Sequence, residues 1–418
     1  MSEGTMGEYS SGTAITGGVA ALAVYMGVVQ LLRFRRIRWM KKNLDATEDA
    51  NEVFHQMALF EFPFMVTKAL EFALFSTYGV PSISKLLDRT GEFRKHVGKR
   101  YDQTDLILRE YYESGTDSDR SKIATARMNA IHGMYSKEIS NADMLFTLSL
   151  FVTEPARWID RRVAGRLFGW RCCTGFEKQA LLTHYKEMGQ RMGIKHISWE
   201  TWDEANSFQA AYAEEFFRPA DSNTAIANVT VDLFVSLVPK PFQSAARWPV
   251  YALIDPPLLK AMGLPQAPTL LQWFMKGSLF LRAMVIRFFL PPRPDFMCVR
   301  RTPVLDTTSG EFPTQNAADI VLQPNYSQFK DAQLGCMFYM NNGYKIADLG
   351  PKKCPAGRLF EGLPSYTGKG GGGSGEVVHG ADGSTPLAVA PVTGASPEKA
   401  EANCPIAGTL AAETKKTA

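Results

Sequence analysis

Several familiar catalytic signatures are missing from this chain: no GxGxxG dinucleotide fingerprint, no Walker phosphate loop, no HExxH zinc helix and no GxSxG nucleophile elbow interrupts its main body. The common nucleotide-binding, zinc-peptidase and serine-hydrolase classes are therefore not signalled. Its six cysteines, at 172, 173, 298, 336, 354 and 404, contain no CxxC pair and no regular framework. That spacing argues against a structural zinc site and fits reduced thiols. None of the six histidines has a second histidine three or four residues away, so no two-histidine helical metal site is present. Alternating strand patterns are scarce, which predicts a mainly α fold. Charge is also nearly balanced, with 46 basic against 42 acidic residues. That balance, with its small excess concentrated locally, argues against a generally nucleic-acid-binding surface.

Much of the small basic excess is local. Arg33, Arg35, Arg36, Arg38, Lys41 and Lys42 crowd together directly after Thr13 to Leu32, a 20-residue run without a charge. As a helix that run is ~30 Å long, enough to cross the hydrocarbon of a bilayer. Glu3 and Glu8 precede it and the arginines follow, the reverse of a cleaved signal peptide. The pattern predicts a single-pass anchor with the N-terminus lumenal and the remainder cytosolic, a buried N-terminal helix being the alternative.

With 418 residues, 45% of them hydrophobic, the chain can bury one large core. The expected organisation is an anchor segment over 1–42, a helical domain over 43–294, a less regular extension over 295–362 and a disordered tail over 363–418. The tail is rich in Gly, Ser, Ala, Thr and Pro and poor in large apolar side chains. Within the domain, periodicity predicts one helix from Glu48 to about Phe75, a short one from near Ser82 that ends at Gly91, and another over Gln103 to Glu113. A helix introduced by Gly115 to Ser118 should pack as a hairpin against an apolar segment capped near Asn141 and stopped at Glu154-Pro155. Further helices are expected over 175–192, 199–217, 224–234, 242–253 and 270–290. The last is apolar but carries Lys276, Arg282 and Arg287, so it reads as a core helix or one lying on a membrane surface. Short strands are expected near Phe338 and Tyr344.

The most informative side chain is His132. At helical spacing it shares a face with Ala124, Met128 and Tyr135, so its imidazole points inward. Spacing alone leaves two readings open, a hydrogen-bonded core histidine or a ligand to iron. With no partner histidine, the iron site most compatible with it is haem, where the porphyrin supplies four donors. A rival ligand is Cys354, whose Gly-Pro-Lys-Lys-Cys-Pro-Ala-Gly setting resembles the thiolate loop of cytochromes P450, although Ala347 stands where an aromatic residue is expected and the following Gly falls one place late. Glu61 and Glu71 are acid–base candidates, since a carboxylate buried among Phe62, Phe64, Phe72 and Phe75 would hold a proton more tightly than usual. An ion-paired acid is the alternative for either.

Several segments taken together, Ala58-Leu59-Phe60-Glu61-Phe62-Pro63-Phe64-Met65, Phe72 to Ser84 with Tyr78-Gly79-Val80-Pro81, Arg89-Thr90-Gly91-Glu92-Phe93, Asn141 to Leu148 and Lys353-Cys354-Pro355-Ala356-Gly357, resemble the fungal ER-bound MpaB-type oxygenases over about residues 13–360. Through that family the chain is distantly similar to the latex-clearing rubber oxygenases. The resemblance implies an all-α, globin-like domain at the endoplasmic reticulum membrane. It also implies one haem b whose iron, with O2, cleaves a double bond in a lipophilic prenyl or terpenoid chain, as in secondary metabolite biosynthesis. It matches His132 to the proximal haem ligand, with Arg127 and Asn129 beside it. It matches Arg89-Thr90 to a distal basic residue and threonine, and places the rubber-oxygenase base near Glu71. Arg89 has no free lone pair, so it would donate hydrogen bonds to bound oxygen rather than ligate iron. Asn129 and Ser136 stand where those relatives carry arginines. A haem- or lipid-binding protein of the same fold without turnover is the alternative function.

Overall fold

Caps and prolines set most of the helix starts in the computed structural model, which describes residues 6–163, 166–303 and 344–350. The helices are α1 (Met6–Arg33), α2 (Arg35–Asn43), α3 (Ala50–Gln56), α4 (Pro63–Thr77), α5 (Pro81–Thr90), α6 (Glu92–Ser114), α7 (Asp119–Gly133), α8 (Asn141–Asp160), α9 (Gly175–Arg191), α10 (Trp202–Phe216), α11 (Asp221–Val235), α12 (Lys240–Tyr251), α13 (Pro256–Ala261) and α14 (Thr269–Phe289). Ser118, Ser140, Thr174 and Thr201 each accept a hydrogen bond from the third helical N–H, and Thr174 closes a reciprocal box with Glu177. Pro63, Pro81 and Pro256 occupy first-turn positions where a missing N–H costs nothing. Among the described residues the sole strand pairing is a two-residue hairpin, Arg162–Val163 with Arg166–Leu167. The mainly helical class predicted from the sequence is what the chain adopts.

Three boundaries differ from expectation. The single helix predicted over 48–75 is instead α3, a π-helical turn over Met57–Glu61, and α4, separated by a non-helical Phe62 (φ −134°, ψ 39°). Pro63 disfavours helical geometry in the residue before it, and an apolar pattern does not register that local effect. The helix expected over 103–113 starts eleven residues earlier at Glu92, directly after Gly91 in the left-handed region (φ 68°), and bends at His96. Helix α8 runs through Pro155 to Asp160. An internal proline costs ~3 kcal/mol, which burial of Ala156, Trp158 and Ile159 offsets.

Helix α8 is buried on nearly every face and packs against α4, α9 and α10, forming the centre of the molecule. Helix α3 lies on α9, and α11 on α5 and α6. The expected α7–α8 hairpin is not the main packing. Helix α7 instead packs against α6 on one side and residues 346–348 on the other. At the periphery, α14 buries only Leu279 and Ala283 and so is not a core helix. Helix α1 leaves Ile15, Val19, Val24 and Leu31 mostly exposed, which rules out the buried-helix alternative for the N-terminus. Ile15–Asn43, formed by α1 and α2, is the one continuous helical stretch among the described residues long and apolar enough to cross a membrane. The position of Phe338, Cys354 and the 363–418 tail lies outside the described residues.

Candidate active site

Helix α7 is fixed from two sides, which aims its remaining face. On the α6 side the Tyr111 hydroxyl bonds Thr125 Oγ1. On the other side Arg127 Nε donates to the Leu349 carbonyl at 2.5 Å, and Tyr344 from the same segment bonds Glu110 of α6 at 2.6 Å. Gly350 (φ 105°) makes that approach possible: a Cβ there would lie 2.5 Å from Ile131 Cδ1. The free face, bearing Met128, Ile131 and His132, together with Tyr135 just past the helix end, closes one wall of a cavity of about 330 Å³. Helices α4, α5, α6, α8, α9 and α11 supply the rest, largely apolar, including Leu70, Phe75, Ile83, Leu108, Phe151 and Phe234. This size and lining are typical of sites for small organic molecules.

His132 is half-buried because its surface faces the cavity. Its Nδ1 is buried and has no hydrogen-bond partner among the described residues. Burial, and then the nearby positive charge of Arg100, pull its pKa down to about 4. The ring is therefore a neutral imidazole at physiological pH, the form that can donate a lone pair to a metal. Arg100 lines the same cavity, its own pKa lowered by burial.

Across the cavity, Glu71 of α4 is buried and holds three hydrogen bonds, from Tyr101 Oη to Oε1 at 2.6 Å and from Lys68 Nζ at 3.0 and 2.8 Å. Its carboxylate is ion-paired, not isolated among the phenylalanines. Burial, and then the charge of Glu71, raise the Tyr101 pKa well above the ordinary phenol value, so Tyr101 remains a donor. Thr90 also lines the cavity, its hydroxyl donating to the Leu87 carbonyl at 2.7 Å.

The remaining sequence candidates lie elsewhere. Arg89 does not line the cavity: its guanidinium is exposed and pairs with Glu138 at 2.8 Å. As the last side chain but one of α5, it turns along the helix end toward water. Arg127 is fully buried behind α7, and Asn129 Nδ2 donates to the Arg191 carbonyl at 3.1 Å, so neither reaches the cavity wall. Glu61 sits in a separate buried cluster, 3.0 Å from Arg171, which also holds Glu177 at 2.7 Å. Burial raises its pKa against the opposing charge of Arg171. Sequence reasoning missed Arg100, Tyr101 and Lys68. The signal for the first two was Glu92, an acid opening a helix directly after Gly91.

Chemically, the cavity offers a neutral imidazole with an available lone pair on one wall and a carboxylate with an adjacent phenol on another, inside an apolar enclosure. The match with known proteins falls on this part of the chain. Residues 76–286 match the family described as ER-bound oxygenase mpaB/B'/Rubber oxygenase, catalytic domain, a span that includes Thr90, Arg100 and His132 and stops short of Glu71. The ER-bound oxygenase mpaB' of Penicillium brevicompactum is 31% identical over 310 residues, covering 67% of this chain and 71% of that protein. The ER-bound oxygenase mpaB of Penicillium roqueforti is 30% identical over 271 residues, covering 58% of this chain and 88% of that protein. The ER-bound oxygenase mpaB of Penicillium brevicompactum is 29% identical over 308 residues, with 67% and 70% covered.

Proposed function

We propose, for a chain that belongs to the family of ER-bound oxygenases mpaB/B' and rubber oxygenases, that His132 holds a haem b and that the cavity admits a lipophilic prenyl or terpenoid chain for oxidation by O2. As a family member the protein is an oxygenase and hence an oxidoreductase. The observation that carries the haem reading is the state of His132: a neutral imidazole whose ring is partly open on an apolar cavity wall. Among the described residues no cluster of three His, Cys, Asp or Glu side chains could hold a metal ion. A cofactor that needs one protein donor fits that set.

When bound, haem would supply the binding and activation of O2. The chain's own groups do the rest. The apolar walls exclude water and favour a hydrocarbon substrate. Arg100, the cation whose field reaches His132 in the same cavity, would supply positive charge to the carboxylates of a bound haem. Glu71, oriented by Lys68 and Tyr101, accepts the allylic proton that the substrate releases. Helix α1 anchors the protein in the endoplasmic reticulum membrane, with its basic C-terminal flank and the helical domain on the cytosolic side.

The test is spectroscopic. The full chain, purified in detergent and supplied with haem, should develop a Soret band that is lost or shifted in His132→Ala. A protein that remains colourless with added haem overturns the reading. Oxygen uptake with a prenylated aromatic compound, followed by mass spectrometry of carbonyl fragments, then tests the reaction.

A further inference from the structure

The packing of α14 on α1 is unusual in where its hydrogen bonds fall. The last four carbonyls of any helix lack an internal partner. At the end of α14, three of them are met by side chains of α1: Ile286 by Arg33 Nη2 at 2.9 Å, Arg287 by Gln30 Nε2, and Phe289 by the Tyr25 hydroxyl at 2.8 Å. Tyr25 and Gln30 are polar interruptions inside the apolar run that crosses the bilayer. In water these carbonyls would need no such partners, whereas in hydrocarbon an unmet carbonyl is costly and must be satisfied within the protein.

The pairs also define a depth. Moving from Arg36 at the start of α2 up α1 toward its N-terminus, side chains meet Arg293 and Asp295 at Arg36, then Ile286 at Arg33, Arg287 at Gln30 and Phe289 at Tyr25. The chain therefore descends along α1 to Phe289 and returns to the level of the basic cluster by Arg293. Arg33 and Tyr25 are eight residues or roughly 12 Å apart on α1, while Ile286 and Phe289 are three residues or roughly 5 Å apart on α14, so the long side chains converge and Phe289 sits roughly 5–12 Å beyond the level of Arg33, within a leaflet hydrocarbon depth of roughly 15 Å. The surface facing outward along α14 suits that placement. Leu270, Phe274, Leu281 and Val285 are all exposed and fall within about 60° of one another around the helix. Phe289 and Leu290 at the apex are exposed as well. The cations stay off this stripe, with Arg282 stacked on Phe64 at 4.3 Å and Arg287 over Phe34 at 5.9 Å.

We infer that the C-terminal end of α14 is a re-entrant element that inserts Phe289 and Leu290 into the cytosolic leaflet beside α1, with the lipid acyl chains as its partner. The inference rests on α1 as a membrane anchor, and continuity with α1 is what assigns the exposed stripe to lipid. Polar groups of the anchor then serve as an external cap for the inserted helix.

The experiment uses the full chain in phosphatidylcholine–phosphatidylserine vesicles, with p-benzoylphenylalanine replacing one residue at a time at Leu22, Phe289 and Glu200. Exposed side chains at these sites tolerate the probe without repacking a core. Irradiation followed by mass spectrometry should give phospholipid adducts at Leu22 and at Phe289, the latter on the acyl chain, and none at Glu200. An adduct at Leu22 without one at Phe289 overturns the re-entrant element and leaves the anchor standing. No adduct at Leu22 overturns the anchor, and the inference with it. Equal adducts at Glu200 also overturn it, by showing non-selective capture.

Discussion

His132 and His184 are both solitary histidines on helix faces, and burial holds both rings neutral, with pKa values of about 4 and about 3. Each has one ring nitrogen without a hydrogen-bond partner among the described residues, Nδ1 in the first and Nε2 in the second. What separates them is the space in front of the ring. His184 is sealed between α3 and α9, its Nδ1 2.6 Å from Asn51 Oδ1 and its ring edge-on to Phe54 and Tyr185 at 4.8 and 5.0 Å. His132 opens onto the cavity. A neutral buried imidazole is therefore a cost that the interior tolerates at His184, and becomes a binding group only where part of the ring opens onto volume for a ligand. The same division holds for the acids: Glu61 is clamped in the interior by Arg171, whereas Glu71 keeps its pairing partners but lies on the cavity wall.

Glu71→Gln presses hardest on that division. The amide keeps the shape and removes the proposed proton acceptor, so turnover should fall by about two to four powers of ten while the proposed haem, read as the Soret-to-protein ratio, stays bound. Undiminished turnover would make Glu71 a structural acid like Glu61 and erase the contrast. The complementary change is Arg171→Met, which removes the main counter-charge of buried Glu61 and Glu177 and leaves Glu61 only the longer pair with Arg36 at 3.9 Å. Breaking such a cluster on one side costs about 3–5 kcal/mol. Denaturant midpoints in detergent should show that loss, with haem stoichiometry unaffected in the fraction that folds. A loss of haem in the folded fraction would mean the two regions are not independent.

A pH series sharpens the comparison further. The unfolded chain protonates His184 near the ordinary 6.5, while the folded ring stays neutral until about 3. Below pH 6.5 the unfolded state thus binds more protons, and stability falls as pH falls. At pH 5 the loss from this one group is about 2 kcal/mol. His184→Gln should be less stable at pH 7 yet show a shallower decline between pH 7 and pH 5. An unchanged slope would show that the interior around His184 is open to water.

How much of this was readable beforehand depended on whether the deciding physics was local. The cap at Ser118, the stop at Gly91 and the inward face of Met128, His132 and Tyr135 follow from the residue and its near neighbours, and they appear in the structure. The continuation of α8 through Pro155 does not, because packing there outweighs intrinsic preference, and the break at Phe62 comes from a backbone restriction before Pro63 that an apolar pattern does not carry. Placing α6 too far along the chain concealed Arg100 and Tyr101, two of the cavity's polar groups. A periodic pattern also cannot say which neighbour a helix faces, so α7 was assigned to α8 when it lies against α6 and the 344–350 segment.

Arg89 is the residue at which sequence and structure part most clearly, and it yields the smallest expected effect. Its match to a distal basic residue assigned it to bound oxygen, but its side chain is 61% exposed and its partner, Glu138, is 40% exposed. Ion pairs in that setting contribute about 0–1 kcal/mol, since water and salt screen both charges. Thr90, one residue on, does face the cavity, as adjacent positions on a helix point about 100° apart. Arg89→Ala should therefore leave oxygen uptake within about twofold of the unmodified protein, and stability within about 0.5 kcal/mol. Thr90→Val, which keeps the volume and removes the hydroxyl, should change uptake more than Arg89→Ala does. The reverse order would mean that α5 turns its other face to the cavity during turnover, and the boundary between wall and surface drawn here would have to move by one residue.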